Sequence, residues 1–176
     1  MPARPLPKLS LSDWTVLGLV AEGVTHGWPV AQALAPGGPI GRIWTVARPV
    51  VYRSLTTLTD QGLIEATGEV AGKGPQRTIV RANTAGRREL RRWLRTPVTH
   101  VRDVRTELLI KLALLDRAGT PRHELVERQI AQLAPILAAV SDDATATAED
   151  GFDAVLARWR HEQARAVDRF LRNLDG

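Results

Sequence analysis

The clearest strand pattern in the chain lies between residues 63 and 82. Two β-rich runs, Leu63 to Val70 and Gln76 to Ala82, flank the turn Ala71-Gly72-Lys73-Gly74-Pro75. A single hairpin buries too little apolar surface to stand alone, so it must lean on helices. The order of the helical patterns around it therefore limits the fold more than any other feature.

Three helical segments precede the hairpin. Ser10 or Ser12 caps the first, which runs to Glu22-Gly23 and repeats Leu11, Trp14, Leu17 or Gly18, and Ala21 at helical spacing, predicting one buried face. A shorter one spans His26 to Leu34 with Val30, Ala33 and Leu34 inward, and Pro36-Gly37-Gly38-Pro39 stops it. The third begins at Pro49, whose fixed φ suits a first turn, and ends at Gln61 with Gly62 as a left-handed cap. Its inward face is Val51, Leu55 and Leu58; its outward face is Arg53, Thr56, Thr57 and Asp60. After the hairpin, Thr84 caps a helix carrying Leu90, Trp93 and Leu94 that ends before Pro97.

The second half reads as helix throughout. Val104, Leu108, Leu112 and Leu115 form one stripe, stopped at Gly119. Thr120-Pro121 opens another helix, in which Val126, Ile130, Leu133, Leu137 and Val140 make a short heptad seam with Pro135 inside it. Ser141 to Asp150 is a polar, acidic connector, and a last helix displays Phe152, Leu156, Trp159, Val167, Phe170 and Leu174, interrupted by Gln163. The expected fold is mainly α: a winged helix-turn-helix domain with a two-stranded β wing over 1–97, then an all-α dimerisation domain over 98–176.

Charge separates the same two regions. Residues 1–97 hold 13 Lys and Arg against 6 Asp and Glu, and residues 98–176 hold 11 against 13. A basic first half implies a polyanionic partner, and double-stranded DNA fits a helix whose outward side chains are cationic or short hydrogen-bonding groups. The candidate DNA contacts are Arg48, Pro49, Tyr52, Arg53, Thr56 and Thr57 on and before the third helix, with Lys73 and Arg77 at the wing tip. Gly27 and Trp28 read as core, the indole wedged between the first two helices.

Other functions find little support. There is no cysteine, so disulfides and thiol chemistry are excluded. His26, His100, His123 and His161 are dispersed, which argues against a metal site. No nucleophile elbow, Walker loop or dinucleotide glycine fingerprint occurs, so neither an enzyme nor a cofactor is expected. Without a long apolar run or a signal-peptide pattern, the expected location is the cytoplasm, with no membrane partner.

Three segments resemble the PadR family of transcriptional regulators. They are Leu17-Gly18-Leu19-Val20-Ala21-Glu22-Gly23 followed by His26-Gly27-Trp28; Trp44, then Tyr52-Arg53, Leu55, Leu58 and Gly62-Leu63-Ile64; and Thr84-Ala85-Gly86-Arg87-Arg88-Glu89-Leu90. Trp28 stands where the family commonly has tyrosine, Ala47 where a capping serine is frequent, Pro49 where glycine is usual, and Ile79-Val80 where tyrosine is common. The resemblance covers about the first 97 residues. It implies a homodimer joined through the C-terminal helices, repression from an inverted-repeat operator, and release by a small aromatic or hydrophobic effector for which Trp14, Trp93 and Trp159 are candidates. Two alternatives remain. A MarR-type regulator has helices before its winged domain, whereas only about ten residues precede the first helix here. A winged-helix protein-interaction module generally lacks a cationic reading face.

Overall fold

Capping and turn chemistry set where the helices begin and end. In the computed structural model, which describes residues 5–23, 25–70, 77–146 and 151–175, α1 (Leu11–Ala21) starts with a capping box: the Ser10 hydroxyl accepts from the Asp13 N–H, and the Asp13 carboxylate accepts from the Ser10 N–H at 2.9 Å. Every residue from Ser12 to Val20 is buried, so the helix is enclosed all round, where its periodicity predicted one buried face. α2 (Gly27–Ala33) follows, then α3 (Arg48–Asp60), closed by Gly62 at φ +65°. The Leu63 N–H reaches back to the Leu58 carbonyl at 2.9 Å, satisfying an orphan of the last turn.

β1 (Ile64–Val70) and β2 (Arg77–Ala82) pair antiparallel, with a bulge between Ala66 and Gly68. Thr25 adds one rung that the sequence pattern did not signal, exchanging two hydrogen bonds with Val80 at 3.0 and 2.7 Å. The turn carrying Lys73, Gly74 and Pro75 lies outside the described residues. α4 (Thr84–Leu94) is capped by Asn83, one residue before the expected Thr84. Asn83 serves two elements, since its Oδ1 accepts from the Gly86 N–H and its Nδ2 donates to the Gly62 carbonyl, both at 2.9 Å. At Gly86 a Cβ would lie 2.1 Å from the Leu63 carbonyl oxygen, so only glycine lets α4 seat there.

The chain forms two compact units, residues 1–95 with 109–120, and residues 96–108 with 121–176. In the first unit α5 (Leu109–Arg117) packs on α1. The Trp14 and Trp93 rings stack with centroids 5.3 Å apart and planes 2° from parallel. Lys111, fully buried on α5, sets Nζ 4.8 Å from the Trp93 centroid. Arg117 grips Glu22 through two hydrogen bonds of 2.6 Å. On α4, burial pushes the Glu89 carboxyl up, but hydrogen bonds and charge from Arg88 and Arg92 outweigh it and hold the carboxyl below its ordinary range.

The stripe predicted through Leu112 is displaced. Residues 104–108 form a π turn, whose wider winding offsets the register, so Ile110, Lys111, Leu114 and Leu115 are buried and Leu112 only half-buried.

In the second unit α6 (His123–Ala146) packs along α7 (Phe152–Asp175). α6 starts at His123, later than the expected Thr120-Pro121, because the Thr120 N–H is engaged with the Leu115 carbonyl in closing α5. It also runs through Pro135 and on to Ala146, so the connector predicted from Ser141 is helical over its first six residues, which hold neither glycine nor proline. Val126, Leu133 and Leu137 of the seam are buried, Ile130 and Val140 half-buried. The fully buried Gln129 joins them, its amide pairing with both the N–H and the carbonyl of Val98 at 2.8 and 2.9 Å. On α7 the buried positions are Ala164 and Leu171, one heptad apart, whereas the predicted stripe leaves Phe152 and Trp159 exposed. A mainly helical chain with a two-stranded wing is thus what the sequence folds into.

Candidate nucleic-acid interface

α3 owes its two faces to its spacing. Val51, Ser54 and Leu58 point inward and are buried, and Leu55 is half-buried. Arg48, Pro49, Tyr52, Arg53 and Thr56 are exposed and Thr57 half-buried, so the predicted outward face is outward. Ala47 precedes the helix without a side-chain cap, and Pro49 sits in the first turn. Two side chains are partly committed within the helix. The Thr56 hydroxyl donates to the Tyr52 carbonyl at 3.3 Å, leaving its oxygen free to accept. The Arg48 guanidinium carbon lies 5.6 Å from the Tyr52 ring centroid, a cation over an aromatic face.

A groove of about 540 Å³ opens between α3, the start of α2 and β2. Arg48, Tyr52 and Thr56 border it from α3, and Arg77 from β2, so four of the residues singled out by sequence come together there. Pro49, Arg53 and Thr57 do not line this groove, although Arg53 stands exposed on the same helix. Lys73 lies outside the described residues.

The groove also collects residues that the sequence did not mark as contacts. Thr59 and Asp60 extend its α3 wall, Thr78 and Val80 its β2 wall, and His26, Gly27 and Trp28 form its end. Trp28 corrects an expectation: it is 46% exposed and not a core wedge. The buried Gly27 faces α3 instead, and the following side chain, about 100° further round a helical turn, swings outward. The available signal was the glycine itself, since a helix that opens on glycine has a neighbour that approaches closely.

The candidate effector residues are distributed. Trp14 and Trp93 are 5% and 3% exposed and stacked on each other in the first unit; Trp159 lies on α7 of the second and is 60% exposed. Among the described residues no cluster of three or more His, Asp or Glu is placed to hold a metal, and no helix is long and apolar enough to cross a membrane.

Comparison with known proteins bears on this interface. Residues 16–92 match the family described as Transcriptional regulator PadR-like family. A probable transcriptional regulator of Mycobacterium tuberculosis, Rv1176c, is 25% identical over 103 residues, 58% of this chain and 53% of that protein, so the chain spans about half the length of the curated relative it matches. Among solved structures, Bacillus subtilis PadR in complex with operator DNA is 18% identical, with 94% of this chain and 97% of that one covered at a TM-score of 0.46. The protein smu.1604c of Streptococcus mutans UA159 is 15% identical, with 92% and 96% covered at 0.44.

Proposed function

We propose that the chain, whose residues 16–92 match the transcriptional regulator PadR-like family, is a member of that family and a sequence-specific DNA-binding regulator that acts as a homodimer and represses by occupying an inverted-repeat operator. The observation that carries this reading is the exposed face of α3, where Arg48, Tyr52, Arg53 and Thr56 lie open and Arg77 of β2 borders the same groove as three of them. A helix with such a face fits the major groove, its cations meeting phosphates and its short polar side chains meeting base edges. Arg53 and Thr56 carry sequence choice, Pro49 and Thr57 flank them, and Lys73 and Arg77 of the wing hold the neighbouring backbone.

Residues 98–176 supply dimerisation in this proposal, and two copies set their α3 helices about 34–36 Å apart, one turn of DNA. Phe152, Val155 and Trp159 on α7, all exposed, support a second copy as the partner. A small aromatic or hydrophobic effector that alters this spacing releases the operator; of the tryptophans considered for it, Trp159 is the exposed one, whereas Trp14 and Trp93 are buried against each other. Tryptophan emission titrated with phenolic acids and planar drugs tests that part, and a flat response across the panel removes it.

The central test is footprinting on the DNA upstream of the protein's own coding sequence, followed by Arg53→Ala. Loss of preference for the protected sequence over random duplex is expected, by on the order of tenfold for one lost base contact, with the dimer intact. Full retention of that preference would show that another element reads the sequence.

A further inference from the structure

The turn His26-Gly27-Trp28 stands out in the sequence, and neither α3 nor the wing accounts for it. A Cβ on Gly27 would stand 2.6 Å from Cε1 of Tyr52 and 3.2 Å from Cδ1 of Leu55. The bare Cα of Gly27 is therefore the bed on which the Tyr52 ring rests, and the Arg48 guanidinium flanks the same ring. His26 secures the turn, its Nδ1 accepting from the Trp28 N–H at 3.4 Å. Trp28 itself gives up much of the stabilisation that burial of an indole brings, since 46% of it stays in water while Trp14 and Trp93 are almost wholly buried. It borders two hollows at once, the α3–β2 groove and a smaller one of about 270 Å³ along Thr45, Val46 and Ala47, and Arg48 borders both with it.

We propose that His26-Gly27-Trp28 is a working part of the DNA interface: Trp28 lays its indole against the sugar–phosphate backbone beside α3, and Gly27 is a positioning residue for Tyr52. The inference rests on the DNA-binding reading above. An indole suits the contact, because its apolar body packs on deoxyribose while its Nε1–H donates to a phosphate oxygen. Arg48 and Arg77 line the groove that Trp28 closes, so a polyanion drawn to these cations passes the indole. Contacts of this kind fix register and add affinity without reading sequence.

The test uses the full chain with two duplexes, the footprinted fragment and a random one. Trp28→Ala is expected to weaken binding to both by on the order of tenfold, the worth of one hydrogen bond to a charged group, leaving their ratio unchanged. Trp28→Phe recovers the apolar part of that loss and abolishes the change in tryptophan emission that DNA causes in the parent. Gly27→Ala lowers affinity in the parent and costs nothing further in a Tyr52→Ala background, which a general disturbance of α2 would not reproduce. Parental affinity in Trp28→Ala, a change confined to one duplex, or a Gly27→Ala penalty independent of Tyr52 overturns the assignment. If the parent binds neither duplex, the DNA-binding reading falls as well; if the parent binds and Trp28→Ala matches it, the inference falls alone.

Discussion

α1 and α7 carry the same kind of pattern and meet opposite fates. Each sets a tryptophan among aliphatic residues at helical spacing. In α1 every residue from Ser12 to Val20 is buried and Trp14 stacks on Trp93. In α7 Phe152, Val155 and Trp159 are 75%, 63% and 60% exposed, and burial falls on Ala164 and Leu171. Periodicity measures how much apolar surface a helix offers, not whether its partner belongs to the same chain. α1 is covered by α3, α4 and β2; in the opening turns of α7 Phe152, Val155 and Trp159 stay open while Ala154, Leu156 and Ala157 are half-buried, and an exposed apolar patch is where a partner docks.

The largest effect that breaks or keeps this contrast is in stability. Trp14→Ala should cost about 3–5 kcal/mol in denaturant unfolding, because it leaves a hole against Trp93 that the surrounding helices fill only in part. Trp159→Ala, read in dilute protein, should cost within about 0.5 kcal/mol, as for an exposed surface position. Equal costs would mean that α7 is packed as α1 is, and the distinction would be lost.

Next in size is assembly. If two copies pair through α7 as proposed, replacing Phe152 and Trp159 together by serine should halve the mass seen by sedimentation equilibrium and make the melting temperature independent of protein concentration, where the parent should melt higher as concentration rises. Binding to an inverted repeat should then fall toward that of a single half-site. A double variant that remains dimeric moves the interface off α7.

How much of this was legible from sequence depends on where each partner sits along the chain. The left-handed Gly62, the strand pair and most of the two α3 faces follow from neighbours a few residues apart and match the sequence pattern, although Ser54 joins the inward face and Leu55 and Thr57 sit half-buried between the two. Lys111 does not match it, because a lysine within an apolar run reads as a surface break, and its aromatic partner Trp93 lies on another helix. Leu112 was misjudged for a local reason that no composition signals, the π turn just before it. In the groove, Arg48, Tyr52, Thr56 and Arg77, singled out by charge and helical phase, come together. Trp28 was not singled out with them, since an aromatic beside glycine favours the core until the Tyr52 ring is seen to occupy that glycine's space.

The smallest effect lies in α3, where a single helix holds both an enclosed and an open face. Ser54 is fully buried on the inward side, and its Oγ has no hydrogen-bond partner among the described residues. A hydroxyl removed from water without a partner costs about 1–3 kcal/mol, and alanine is the better helix former by a few tenths. Ser54→Ala should therefore raise unfolding stability by about 1 kcal/mol, less than the full penalty because the site gains a small void. DNA affinity should not move, because Arg53 and Thr56 project from the exposed face. Should the variant instead lose affinity at unchanged stability, the inward face of α3 would be coupled to its reading face, and the division of the helix into a packed side and a free side would have to be given up.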